Sequence, residues 1–308
     1  MGAKLEKIDR FKPCFYDGVT PIEEKLPFEN PLVEIGFGNG DFTVELAKAN
    51  PSKPVLAVDK WHPGIKALIH KCLNEKLNNI YVFNLDANLF VRYLLKPKQV
   101  EEFYFNYPDP FFKKRDIKRR LLKTEFLKIV ANRLIDGGKV YIRTDIPEYY
   151  DYVLEQLEPL RGIFDIRRNF DRELPTTKYE RKALKEGRKP LKLLLVKVNH
   201  PEIKPDWEVE KLRTVKVKKC NLENLQPGLE IKDPKRGYFF KIENTYRGEK
   251  VDLVEIFVGE EGFYQQVFVG IFKTSAGDFV IRPKSFAVGV RSLSWAVDEL
   301  AKLLVDGT

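Results

Sequence analysis

The feature that most limits the fold is a regular alternation of short β-rich runs and helix-length segments between residues 31 and about 160. The runs 32–35, 55–59, 80–85, 102–106 and 139–143 are dense in β-branched and aromatic residues. Between them apolar residues recur at spacings of three and four, as in Phe42, Leu46 and Ala47, in Ile65, Leu68, Ile69 and Leu73, and from Leu121 through Phe126 and Ile129 to Leu134. Helix-length crossovers between successive strands predict a mostly parallel, doubly wound α/β sheet. A helix over 149–157 and two late strands over 165–170 and 191–198 bring the sheet to seven strands. The charged stretch 171–190 is expected to join those two strands as a long loop.

A chain of 308 residues exceeds the usual single domain. Residues 199–206 read as a linker by their prolines and charges. Beyond it, aromatic or β-branched runs at 214–220, 229–232, 238–246, 250–258, 263–272 and 279–282, followed by a helix over 293–305, predict a small, largely antiparallel β domain. The organisation expected is an N-terminal extension 1–30, an α/β domain 31–199, and a linker with a C-terminal β-rich accessory domain over 200–308. The formal net charge is +9, and residues 1–199 hold all of the excess, with 37 basic and 28 acidic side chains against 17 of each beyond. That distribution points to a polyanionic partner for the first domain. Cys14, Cys72 and Cys220 are scattered, and His62, His70 and His200 form no ligand pattern with them, which argues against zinc and disulfides. The charged N-terminus lacks an apolar leader and no run reaches membrane-spanning length, so a cytoplasmic protein is expected.

The first candidate site is Glu34-Ile35-Gly36-Phe37-Gly38-Asn39-Gly40, placed after an apolar strand and before a helix. Its glycines permit a tight turn and close approach of a ligand to the backbone. Asp59 closes the next strand and can take both hydroxyls of a ribose. The spacing is G-x-G-x-G, and Glu34 at the strand end would repel a pyrophosphate; a cationic, phosphate-free nucleoside such as S-adenosylmethionine suits it better. Asp86, before Ala87 at the end of the third strand, can accept an adenine amino group, cap the following helix, or do both.

The second candidate site is Asn106-Tyr107-Pro108-Asp109-Pro110-Phe111-Phe112. Its two prolines hold Asp109 on a restricted turn just past a strand. Six Lys or Arg against one Asp follow within residues 113–120, and Lys114, Arg115, Lys118, Arg119 and Arg120 are the expected contacts to an RNA backbone. Tyr107, Phe111 or Phe112 could stack on a base, with burial against the sheet the plainer role for at least one of the two phenylalanines.

Taken in order, Glu34 to Gly40, Asp59, Asp86-Ala87, Pro108-Asp109-Pro110 with Lys113 to Arg120, Thr144-Asp145 and Thr177-Lys178-Tyr179-Glu180 resemble the tRNA (guanine-N7)-methyltransferase family. The resemblance covers about residues 31–199 and gives the C-terminal domain no counterpart in the ordinary bacterial form. It implies a class I S-adenosylmethionine-dependent methyltransferase fold, S-adenosylmethionine as methyl donor without a metal, and a guanosine of the tRNA variable loop as acceptor. It implies no obligatory protein partner and no membrane. Carried over by residue, it places the cofactor on Glu34, Gly36, Gly38, Asp59, Asp86 and Ala87. Asp109 falls between cofactor and base as the catalytic carboxylate, and Lys113, Asp145, Thr177, Lys178, Tyr179 and Glu180 face the substrate. Phe111-Phe112 stands where many members have Trp-His, Tyr107 where Phe is frequent, and Asp59 where Glu is frequent. Two other readings remain open at this stage. One is an amino methyltransferase, from the faint likeness of Asn106-Tyr107-Pro108 to an Asn-Pro-Pro-aromatic motif; the other is an RNA-binding protein that keeps the fold without activity.

Overall fold

The computed structural model describes residues 21–170, 172–203, 208–260 and 263–306. Cys14, most of the N-terminal extension and linker residues 204–206 lie outside the described residues. The chain divides into two units, and of the described residues 26–203 form the first while 21–25 and 208–306 form the second.

The first unit alternates as the periodicity requires: β1 (Leu32–Ile35), α1 (Asp41–Ala49), β2 (Val55–Asp59), α2 (His62–Asn74) and β3 (Ile80–Asn84). A short α3 (Ala87–Leu89) runs into a π-helical turn, Phe90–Leu94, before β4 (Val100–Asn106). A 3-10 segment, Lys114–Arg119, precedes α4 (Thr124–Arg133), β5 (Leu134–Thr144), α5 (Pro147–Leu157), β6 (Phe164–Arg168), α6 (Lys178–Lys185) and β7 (Leu191–Lys197). The strand order is β3-β2-β1-β4-β5-β7-β6, with β7 antiparallel to both neighbours and the rest parallel. This is the class I methyltransferase topology that the resemblance implies. Both faces of the central strands are covered, so β1 and most of β2 and β4 are buried throughout, which explains their unbroken apolar runs.

Two boundaries differ from expectation. The helix expected to reach Leu134 stops at Arg133, and β5 starts directly, five residues before the run at 139–143 expected from the sequence. The stretch 171–190 is not a plain loop: Thr177 caps α6, its hydroxyl accepting from the Glu180 amide at 3.0 Å.

The chain reverses its order across the sheet between β1 and β4, and ligands of open α/β sheets lie beyond the carboxyl ends of the strands at such a switch. Packing pins the first turn there. Lys71 Nζ donates to the Asn39 carbonyl at 2.7 Å, and a Cβ on Gly64 would lie 2.0 Å from the Gly38 oxygen, so α2 supports the turn through a bare glycine.

The second unit is a six-stranded antiparallel sheet in the order β8-β13-β12-β11-β10-β9. Its strands are β8 (Val215–Val217), β9 (Glu230–Asp233), β10 (Tyr238–Tyr246), β11 (Asp252–Glu260), β12 (Phe263–Lys273) and β13 (Phe279–Pro283), and α7 (Arg291–Asp306) packs on one face. Residues from the start of the described chain complete it: Ile22 N donates to Ala287 O at 2.9 Å, and Gly289 N donates to Ile22 O at 2.7 Å.

The link between α1 and β2 hangs on Asn79, 8% exposed, whose amide lies 3.1, 3.0 and 3.2 Å from the carbonyls of Ala47, Asn50 and Lys53. Asn79→Ala leaves buried carbonyls unmet and is expected to cost about 2 kcal/mol. A lowered urea midpoint at unchanged m-value checks this.

Candidate active site

The turn after β1 places Gly36, Gly38 and Gly40 at φ 77°, 58° and 78°, a left-handed run that L side chains rarely adopt. It brings the Gly38 amide to Asp59 Oδ2 at 2.9 Å, while the Trp61 amide donates to Oδ1 at 2.9 Å. Two amides thus fix the Asp59 carboxylate at the end of β2, and each oxygen keeps a lone pair for a ribose hydroxyl. Asp86 takes the capping role: its Oδ1 accepts from Asn88 N and Leu89 N, and Oδ2 pairs with Lys60.

These groups line one cleft of about 520 Å³, with Gly36, Gly38, Asp59, Asp86, Ala87, Asp109 and Tyr179 all contributing. Tyr107, Phe111, Trp61, Lys60 and Leu121 also stand on its walls. The volume and mixed lining suit a nucleoside-sized ligand. Asp109 is exposed at the rim, between residues at unusual dihedrals: Tyr107 has φ 53° and Phe111 φ 44°. Such backbone costs roughly 1–3 kcal/mol per residue and needs support. Arg120 supplies some of it, its Nε donating to the Pro110 carbonyl at 2.7 Å while its guanidinium stacks 4.5 Å above Tyr152. Arg119 lies 4.8 Å over the Phe111 ring. Neither phenylalanine is buried against the sheet: Phe111 faces the cleft half-buried and Phe112 is 69% exposed.

Glu34 is not on the cleft wall. It is 1% exposed beneath the glycine turn, where Thr43 Oγ1 donates to Oε2 at 2.5 Å and Asn106 Nδ2 to Oε1 at 3.0 Å. Asn106 Oδ1 accepts from Arg143 Nε at 2.8 Å, and Arg143 Nη1 reaches Glu180 Oε2 at 2.7 Å and the Pro175 carbonyl at 3.0 Å. Arg143 is itself 1% exposed. Thr177 and Glu180 therefore point inward, as cap and ion-pair partner, and leave Tyr179 between them, 57% exposed, to face the cleft. Its ring lies 6.4 Å from that of Tyr107 at 26°. Lys113 and Lys178 are exposed outside the cleft lining, and Asp145 is paired with Arg188. Of the basic run, Lys114, Arg115, Lys118 and Arg119 are exposed, whereas Arg120 is half-buried under the turn.

A family described as "Putative methyltransferase" matches residues 29–193. A relative from Aquifex aeolicus named tRNA (guanine-N(7)-)-methyltransferase is 36% identical over 94% of this chain and 99% of its own length. One of the same name from a Nocardioides species is 35% identical over 51% of this chain and 63% of its own length. The chain belongs to the tRNA (guanine-N7-)-methyltransferase family. Among solved structures, an rRNA methylase from Streptococcus thermophilus is 19% identical, with a TM-score of 0.39 over 56% of this chain and 90% of that one. The Aquifex match extends through the C-terminal unit, so that unit does have a counterpart among relatives of this name.

Sequence reasoning missed Arg143 and Thr43 and placed Asn106 in the second site without its buried role; the three form the polar chain under the cleft. One signal was available: Thr177-x-x-Glu180 has the form of a capping box ahead of a helix, although Glu180 turns to Arg143 instead of its own cap.

Burial raises the Glu34 pKa to about 7, against the opposing hydrogen bonds of Thr43 and Asn106 and the charge of Arg143. The folded chain therefore holds that proton more tightly than the unfolded chain. The stabilisation is complete below about pH 4.5 and is lost as pH rises through about 7. Glu34→Gln, which cannot titrate, is expected to remove roughly 3 kcal/mol of pH-dependent decline across that window. Thermal melts of both proteins between those pH values read this as a flatter Tm profile for the variant.

Proposed function

We propose that this chain transfers the methyl group of S-adenosylmethionine to N7 of a guanosine in the variable loop of tRNA. The observation that carries the reading is that one cleft gathers the glycine turn, Asp59, Asp86 and Asp109, with Tyr107 and Tyr179 on its walls. S-adenosylmethionine, when bound, supplies an electrophilic methyl group on a sulfonium. In this reading Asp59 takes the ribose hydroxyls, and Asp86 and Ala87 meet the adenine edge. The backbone of Gly36 and Gly38 admits the amino-acid end, and Glu34, buried beneath the turn and held by Thr43 and Asn106, supports that backbone from below.

Guanine N7 carries an in-plane lone pair at neutral pH, so methylation there needs no general base. The protein's task is to present the base in line with the methyl group. Tyr107 and Tyr179 supply stacking surfaces for it, and Asp109 stands at the rim where the base edge would lie. Alkylation places positive charge on the purine, and the Asp109 carboxylate stabilises that charge more in the transition state than in the ground state. A carboxylate can also accept from N1–H and the 2-amino group of guanine, a pair of donors that adenine does not offer. Lys113, Lys178 and Asp145 lie nearer the RNA than the cofactor in this scheme, and the exposed cations at 114, 115, 118 and 119 meet phosphates.

Incubation with labelled S-adenosylmethionine and unmodified tRNA transcripts, then nucleoside analysis of the digest, tests the reading. N7-methylguanosine from the variable loop is expected; label on N6-methyladenosine would sink the N7 assignment. Asp109→Ala is expected to cut kcat by at least a hundredfold with tRNA affinity retained, and a parallel loss of both would remove its chemical role. Replacing Lys114 and Lys118 by Gln is expected to make the salt dependence of tRNA binding shallower by about two phosphate contacts, read from log Kd against log salt.

A further inference from the structure

The second unit has one face closed by α7 and one face open, and the open face has an unusual composition. Registers across β10, β11 and β12 set Lys241, Phe257 and Gln266 in one row and Phe239, Gly259 and Tyr264 in the next, all on the side away from the apolar core. Phe239, Phe257 and Tyr264 form a triangle of rings with centroids 5.9, 5.9 and 6.2 Å apart. A Cβ on Gly259 would come within 2.9 Å of the Phe239 and Tyr264 rings, so the glycine lets both rings lie down over the sheet. The same device recurs on the neighbouring strand β12, where a Cβ on Gly270 would meet the Phe272 ring at 2.7 Å. Phe272 carries Arg282 at 5.0 Å and Lys284 at 5.5 Å from its centroid.

Solvent and charge decide what such a face is for. Phe257 is 36% and Tyr264 60% exposed. Lys232 and Lys241 are paired with Glu230 and Glu243, and Glu255 is held by Tyr246, Asn244 and Gln266. Arg282 and Lys284 are exposed and have no carboxylate partner among the described residues. The core of a subunit interface is depleted in charge, whereas flat aromatic rings beside free cations are the composition of a surface that stacks bases and tracks phosphates.

We propose that this open face docks unpaired nucleotides of the tRNA, with Phe257 and Tyr264 stacking on bases and Arg282 and Lys284 meeting phosphates. The proposal rests on tRNA being the substrate of the first unit. It assigns the C-terminal unit to substrate affinity and leaves chemistry to the cleft.

The test uses the full chain with two double variants, Phe257→Ala with Tyr264→Ala, and Arg282→Gln with Lys284→Gln. Affinity is measured for an unmodified tRNA transcript and for a short single-stranded oligouridine. The aromatic variant is expected to weaken both by roughly tenfold or more and to raise KM for tRNA by the same factor at unchanged kcat and unchanged cofactor affinity. The cation variant is expected to reduce the salt dependence of tRNA binding. Thermal melting verifies the fold, and if the aromatic variant unfolds, the cation variant decides alone. Wild-type affinities in both variants overturn the platform while leaving the methyltransferase reading intact. So does a fall from dimer to monomer on sedimentation without loss of RNA binding, which would assign the face to a second copy. A wild-type chain that neither binds nor methylates tRNA overturns the function first and the platform with it.

Discussion

Arg143 cannot readily give up its charge and sits where water does not reach, so everything around it must answer that charge. Its guanidinium joins Asn106 at the end of β4, Glu180 on α6 and the Pro175 carbonyl, and lies 5.0 Å over the Phe42 ring at the start of α1. Removing one partner of a buried pair of this kind typically costs about 3–5 kcal/mol, because the other charge is left uncompensated. The ends of β4 and β5 and the segment carrying Tyr179 are tied to one cation by that penalty. Through Asn106 the tie reaches Glu34 and Thr43 below the glycine turn. The same dry surroundings that hold Glu34 near a neutral pKa also lower that of Arg143.

A floor of this kind lets the upper cleft be strained. Asp109 is presented on a turn flanked by positive φ at Tyr107 and Phe111, conformations that neither side chain favours. The strand below holds one end, since the Tyr107 amide donates to the Arg143 carbonyl at 2.7 Å. Arg120 holds the other through the Pro110 carbonyl. The chain thus spends one residue of its basic run on its own backbone, and the rest face solvent.

Elements with a strong period were legible in the sequence, and so was the cleft that depends on them. The apolar runs of β1, β2 and β4 could only be strands buried on both faces, and the glycine turn with Asp59 one strand later follows from that geometry. What escaped notice lacked an apolar signature. The eight residues of α6 offer only Ala183 and Leu184 as aliphatic side chains, and Leu184 is 54% exposed, so no stripe announced a helix. Arg143 in a strand reads as a solvent-facing residue, and nothing local reveals that Glu180, 37 positions later, meets it inside. Sequence gives position along a strand and not depth below a turn, so it puts the Glu34 carboxylate at its ligand and does not show it buried beneath. The rings at 107 and 179 needed three-dimensional placement before they could be seen as a pair.

The second unit is discontinuous in sequence, since residues 21–25 belong with 208–306 while the described residues of the first unit, 26–203, lie between them. During synthesis, Ile22 leaves the ribosome long before its neighbours Ala287 and Gly289 exist. The first unit has all of its strands as soon as β7 is made, and domains generally fold as units in the order they emerge. The segment around Ile22 must then wait, unpaired, through the translation of more than half the chain. Its apolar side chain is a ready partner for a wrong strand edge until the last helix is finished. Closing that span late also makes this the contact with the greatest loop-closure entropy in the second unit. The slowest step in making this protein is therefore expected to be the capture of its own early segment, well after the cleft has formed.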